Sequence, residues 1–121
     1  MADIISGGNK WIEGYKPIDK IKEEEKALRY NEGKRKWSLI DYPSLEEMVK
    51  VLEMGATKYA PFNWQKGLNR EELLESAMRH MVALMNKEEV DQESGISHAG
   101  HIMCNMLFYI WMHNNDKFIK K

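Results

Sequence analysis

A second cysteine is missing from this chain of 121 residues, and with it any intrachain disulfide. The single Cys104 lies in an apolar stretch, so a reducing cytoplasm is the expected setting. Long apolar runs are missing too. The longest, Met106 to Met112, falls far short of the roughly 20 residues that cross a bilayer. No sign of charge dominates: 18 Lys and Arg stand against 19 Asp and Glu, a formal net charge of -1. That balance supplies no basic field for duplex nucleic acid, although a few local cations suffice to grip a nucleotide. The N-terminal Met1-Ala-Asp-Ile-Ile-Ser-Gly-Gly8 lacks a basic region followed by an apolar core, so no signal peptide is expected. Repeats and low-complexity segments are absent, and the strand signal is confined to Trp37 to Ile40.

What the chain does contain is helical periodicity. Residues 1–27 read as a peripheral segment, broken at Gly7-Gly8, Gly14 and Pro17, with Trp11 and Tyr15 free to dock on a neighbouring surface. From Arg29 to Pro43 no helical period appears, and an extended loop is expected. A first helix then starts at Ser44, an N-cap with Glu47 three residues on. Its apolar stripe is Leu45, Met48, Val49, Leu52, Ala56 and Tyr59, and Pro61 ends it. A second helix spans about Arg70 to Asn86, with Leu74, Ala77, Met78, Met81 and Met85 as its core stripe. A third runs from about Ser97 to Asn114. The expected fold is all-α: a small bundle of three main helices over residues 28–115, an extended N-terminal loop region and a tail at 116–121. The third helix is too apolar for two neighbours to cover, so a homo-oligomer is expected to complete the bundle. Nine methionines give an adaptable core.

Within that apolar third helix, His98, His101 and Asn105 stand at i, i+3 and i+7, on one face. Polar groups in a buried position need partners, so this face marks either a hydrogen-bonded core network or a site. Upstream, Glu88, Glu89, Asp91 and Glu93 fill a turn-rich segment. Asp91 and Glu93, with Glu88 or Glu89, offer hard oxygen ligands for Mg²⁺ or Mn²⁺; the alternative is a solvated loop that caps the third helix. His80 lies on the flank of the second helix's apolar stripe, facing the third. Glu75 and Arg79, at i and i+4, read as a surface ion pair. The segment Arg29-Tyr-Asn31-Glu-Gly33-Lys34 has the cations and the glycine of a phosphate-binding loop. Lys58, Asn63 and Trp64 combine a cation, an amide and an aromatic suited to a base, or to plugging the bundle.

The blocks Arg29-Tyr-Asn-Glu-Gly-Lys34, Gly55-Ala-Thr-Lys-Tyr59, Asn63-Trp64, Gly67-Leu68, Arg79-His80, Asp91-Gln-Glu-Ser-Gly95, His98-Ala-Gly-His101 and Asn105 resemble the phage-type dATP/dGTP diphosphohydrolase domain, itself grouped with MazG-like all-α nucleotide pyrophosphohydrolases. The resemblance covers about residues 28–112. It implies a hydrolase that cleaves purine (deoxy)nucleoside triphosphates to monophosphate and pyrophosphate with Mg²⁺ or Mn²⁺, in the host cytoplasm of a phage or prophage. It implies catalytic roles for Arg79, His80, His98 and His101, nucleotide contacts at Asn31, Lys34, Lys58, Asn63, Trp64 and Asn105, and metal contacts at Glu75, Asp91 and Glu93. Glu72 and Glu75 match the first MazG-like E-x-x-E spacing, but His98-x-x-His101 stands where E-x-x-D is usual. The alternative is therefore a non-catalytic protein that sequesters a purine or cyclic-nucleotide signal.

Overall fold

The computed structural model describes residues 26–120, so the expectations for Trp11, Tyr15 and most of the peripheral segment lie outside the described residues. Contacts divide the chain into two units, residues 1–36 and 37–121. In the first, residues 26–36 are exposed and form a turn in which the Lys34 N–H donates to the Asn31 carbonyl at 3.1 Å, with Gly33 at φ +81°.

The second unit opens with a 3₁₀ turn over Trp37–Leu39 rather than the expected short strand. The Ile40 N–H closes it onto the Trp37 carbonyl, which also accepts from the Tyr42 hydroxyl, so no backbone edge is left for a strand partner. The start of the first helix differs as well. Pro43 begins a 3₁₀ turn, Tyr42–Leu45, one turn early, and Asp41 rather than Ser44 provides the cap by accepting from the Ser44 N–H. Helix α1 (Glu46–Lys58) continues from it, with Glu46 and Glu47 at its positive end and Lys58 at its negative end. After Pro61 a 3₁₀ turn, Asn63–Lys66, leads through Gly67 into a two-residue strand β1 (Leu68–Asn69). Gly67 sits at φ +122°, and a Cβ there would lie 3.0 Å from the Lys117 carbonyl oxygen. Only glycine lets these backbones approach so closely.

Asn69 caps helix α2 (Arg70–Met85) by accepting from the Glu72 N–H at 2.9 Å. The helix ends in a Schellman turn: Lys87 N–H bonds to Leu84 C=O, and Glu88 N–H to Ala83 C=O, both at 2.9 Å, with Lys87 left-handed. Helix α3 (His98–Asn115) starts at Ser97, which accepts from the Gly100 N–H. Ser97, not the acidic loop, is therefore its side-chain cap. Beyond α3, strand β2 (Phe118–Ile119) pairs in parallel with β1, so residues read as a tail close onto the segment before α2.

The fold is all-α apart from this tiny sheet, with α3 packed against both α1 and α2. Its core is thin: among the described residues Leu73, Ile96, Cys104 and Met112 are the buried hydrophobics. Helix α2 corrects the expected stripe. Its inner face carries Leu73, Ser76, Ala77, His80 and Leu84, whereas Met78, Met81 and Met85 point out, 60%, 46% and 73% exposed. The helix has two apolar faces about 100° or more apart, and periodicity cannot tell which one meets α3. On α1, Val49 and Tyr59 of the expected stripe are likewise exposed.

Candidate active site

The loop between α2 and α3 is a miniature hairpin. Val90 bridges Ser97, the Asp91 N–H donates to Ile96 C=O, and the His98 N–H donates to Glu89 C=O. Gly95, left-handed at φ +75°, turns the chain. This fold-back and the Schellman turn bring Glu88 against His98 and Asp91 with Ser94 against His101.

Three imidazoles meet where α2 faces α3. His80 Nδ1 lies 2.8 Å from His98 Nδ1, and the His80 ring stacks on His101 at 4.4 Å with 3° between planes. His98 is 4% exposed, and its Nε2 is 2.7 Å from Glu88 Oε2. His101 Nε2 is 2.7 Å from Ser94 Oγ and 3.6 Å from Asp91 Oδ2. One turn on, Asn105 donates to Ser76 Oγ at 3.2 Å. Each polar side chain of this face thus has a partner, and no buried side-chain nitrogen or oxygen among the described residues is left without a hydrogen bond.

Burial and the neighbouring His101 and His98 rings hold His80 below the ordinary imidazole value, with Asp91 pulling weakly the other way. Burial does the same to His101, again against Asp91. Asp91 is held below the usual carboxylate value chiefly by the Ser94 side-chain hydrogen bond. Both shifts favour the neutral imidazole, the form that can accept a proton. Cys104, buried on another side of α3, has its thiol pushed up to about 12 and is inert.

Further along α3 lie two cavities. The larger, about 570 Å³, is almost wholly apolar; Tyr59, Phe62, Asn63, Trp64 and Phe108 are among its walls. Trp64 stacks on Phe108 at 4.5 Å and meets Trp111 edge-on at 5.3 Å. The smaller, about 250 Å³, is lined by Asn69, Glu72, Leu73 and Asn105, and shares Leu68 and Phe108 with the larger. One face of α3 thus carries, in order, His98, His101, Asn105 and Phe108.

Of the residues singled out by sequence, the structure brings together His80, His98, His101 and Asp91, with Asn105 a turn away. Asn63 and Trp64 share the aromatic cavity, while Lys58 reaches back over the Tyr59 ring at 5.5 Å. Glu75, Arg79 and Glu93 are exposed, and the expected Glu75–Arg79 ion pair is not formed. Asn31 and Lys34 belong to the other unit. Among the described residues no group of three or more His, Cys, Asp and Glu side chains is placed to hold a metal ion by itself. Ser94 and Ser76 went unassigned in the sequence, where only the Ser94 spacing to Asp91, a turn motif, was visible; Glu88 was read there as a candidate metal ligand, not as the partner of His98.

The family described as "dATP/dGTP diphosphohydrolase, N-terminal" matches residues 24–121. A protein named "dATP/dGTP diphosphohydrolase" from Salmonella phage PMBT28 is 39% identical over 89 residues, 74% of this chain and 30% of that protein. The chain therefore spans about a third of that relative's length. No solved structure matches. With 98 of its residues inside the family match and its Arg79–Asn105 block folded around one imidazole cluster, the chain belongs to the dATP/dGTP diphosphohydrolase N-terminal family.

Proposed function

We propose that this chain binds a purine deoxynucleoside triphosphate and hydrolyses it between the α- and β-phosphates. The observation that carries the reading is the ordered face of α3, from the imidazoles through Asn105 to the aromatic cavity. A rise of about 1.5 Å per residue puts Phe108 about 10 Å along the axis from His101, comparable to the reach from a purine ring to its α-phosphate. The base enters the aromatic cavity between Trp64 and Phe108, with Asn63 on its edge, and Lys58 stands at the exit of α1. His80 takes a proton from water; the water oxygen bonds to the α-phosphorus, and the anhydride bond breaks with its electron pair leaving on pyrophosphate. His101 and His98 hold the His80 ring, while Arg79 answers phosphate charge.

Mg²⁺ or Mn²⁺ is part of the proposal. Asp91, ionised beside His101, fits an ion that arrives on the triphosphate, which needs only one or two protein carboxylates; Glu93 and Glu75 are the further candidates. When bound, the ion supplies charge neutralisation at the phosphates. We also propose a homo-oligomer, because Met78, Met81, Val82 and Met85 on α2, with Met103, Leu107 and Ile110 on α3, leave two apolar faces open. Met112 cannot serve as a subunit contact, being 0% exposed within one chain. No described helix is long and apolar enough to cross a membrane, consistent with a phage protein acting in host cytoplasm.

One observation favours the second reading, a nucleotide binder without turnover: no three-ligand metal group exists among the described residues. Incubation with dATP or dGTP and Mn²⁺, followed by chromatography, separates the two. Monophosphate and pyrophosphate support hydrolysis. Tight binding with full recovery of the triphosphate supports sequestration.

A further inference from the structure

We propose that Glu88 is a positioning residue: through His98 it fixes His80 as the tautomer protonated on Nδ1, leaving Nε2 as a bare proton acceptor. Donor and acceptor counts narrow the proton arrangement. A carboxylate only accepts, so the 2.7 Å contact to Glu88 Oε2 places a proton on His98 Nε2. Two arrangements fit these distances, a His98 that donates to His80 from Nδ1 as well and a His98 that keeps a lone pair there, and we propose the second. The two Nδ1 atoms, 2.8 Å apart, share a single proton, which in that arrangement comes from His80. His80 Nε2 therefore carries a lone pair, on a ring that is only partly buried.

This chain runs outward from a fixed point. His98 is buried, and its backbone N–H is tied to Glu89 C=O. The Schellman turn at Lys87 sets the direction in which Glu88 leaves α2. Glu88 keeps one side in solvent, so its charge balances the cluster without being buried. Other groups facing His80 are His101, stacked from α3, Asp91 from the hairpin loop, and Arg79 beside it on α2. When a water proton reaches Nε2, the Nδ1–H stays on His98 and the His98 Nε2–H stays on Glu88; no further proton moves. Glu88 then faces a new positive charge two rings away and stabilises it.

The catalytic half of this inference rests on the hydrolase reading above; the tautomer half does not. Long-range ¹H–¹⁵N NMR of the imidazoles in the full chain reads the tautomers directly. In the unmodified protein at neutral pH, His80 is expected to be protonated on Nδ1 and His98 on Nε2. Glu88→Ala should return His80 toward the Nε2–H form that free imidazole side chains favour. Glu88→Gln should keep the native pattern, because its amide oxygen still accepts. With dATP and Mn²⁺, Glu88→Ala should lower kcat by about tenfold or more with KM within about twofold, since a positioned base contributes about 10²–10⁴. Its acid limb should move to lower pH, because the imidazolium loses a counter-charge. A His80 protonated on Nε2 in the unmodified protein overturns the proposal, as does a pattern unmoved by Glu88→Ala. Native tautomers without any dATP cleavage refute the hydrolase reading and leave the tautomer assignment supported.

Discussion

Gly100→Ala tests the packing that holds the imidazole helix in place. A Cβ built at Gly100 would lie 2.7 Å from the Glu47 carbonyl oxygen, 2.8 Å from its carbonyl carbon and 2.9 Å from its Cβ. Two of these are backbone atoms, so no side-chain rotation relieves the contact; α1 and α3 must separate. Overpacking of this kind costs about 1–3 kcal/mol. Separation also strains the Ser97 cap on the Gly100 N–H and the bond from the Ser97 N–H to Glu47 Oε1, a cap being worth about 1 kcal/mol. Against this, alanine improves helix propensity by about 1 kcal/mol over glycine. The balance is a net loss of about 1–3 kcal/mol, which in a domain of this size lowers Tm by about 5 °C or more. Thermal melts by far-UV circular dichroism, with denaturant titrations to check that m is unchanged, measure it. Gly55→Ala is the control. It is also in a helix, α1, but nothing lies within 4 Å of its added Cβ, so it should gain up to about 1 kcal/mol. A Gly100→Ala protein that melts at or above the unmodified Tm refutes the close-packing argument.

His80 and His101 are both held below the ordinary imidazole value of 6.5 in the fold. As pH falls through that value the unfolded chain binds protons first, so stability is full above it and is lost below it. Tm should therefore be flat above neutrality and decline into the acid range; a flat profile there contradicts the burial of these rings. Asp91 adds a separate loss only as pH falls below the usual carboxylate value, because its own is lowered. Asp91→Asn should weaken Mn²⁺ binding in calorimetry in the presence of dATP, with the helical signal intact, and unchanged affinity would return Asp91 to its role in the loop turn. Met78→Lys with Met81→Lys should convert an oligomer to a monomer in light scattering at little cost to the fold, since both side chains are outside it; an unmodified protein that is already monomeric rules out that interface.

Much of the architecture is written in local spacing. Three helices were legible because their turns repeat every 3.6 residues and their ends carry Pro43, Asn69 and Ser97 within a few positions of the observed boundaries. The joint placement of His98, His101 and Asn105 needs nothing beyond the helix itself. The resemblance to the diphosphohydrolase family likewise lives in short blocks, and the family match bears it out.

Tertiary structure decided what spacing leaves degenerate. Helix α2 carries two apolar faces, and only contact with α3 selects the one bearing Leu73 and His80 over the methionines. Trp37 to Ile40 had strand composition but no partner edge, whereas Leu68–Asn69 and Phe118–Ile119 pair across some fifty residues that no local pattern links. Glu88 was one of four similar carboxylates until a left-handed Lys87 turned it onto His98. The helices and their polar face follow from interactions between near neighbours in the chain, and those the sequence determined by itself. Which face is inside, which carboxylate meets which imidazole, and which nitrogen is left bare depend on groups far apart in sequence meeting in space, and only the fold decides them.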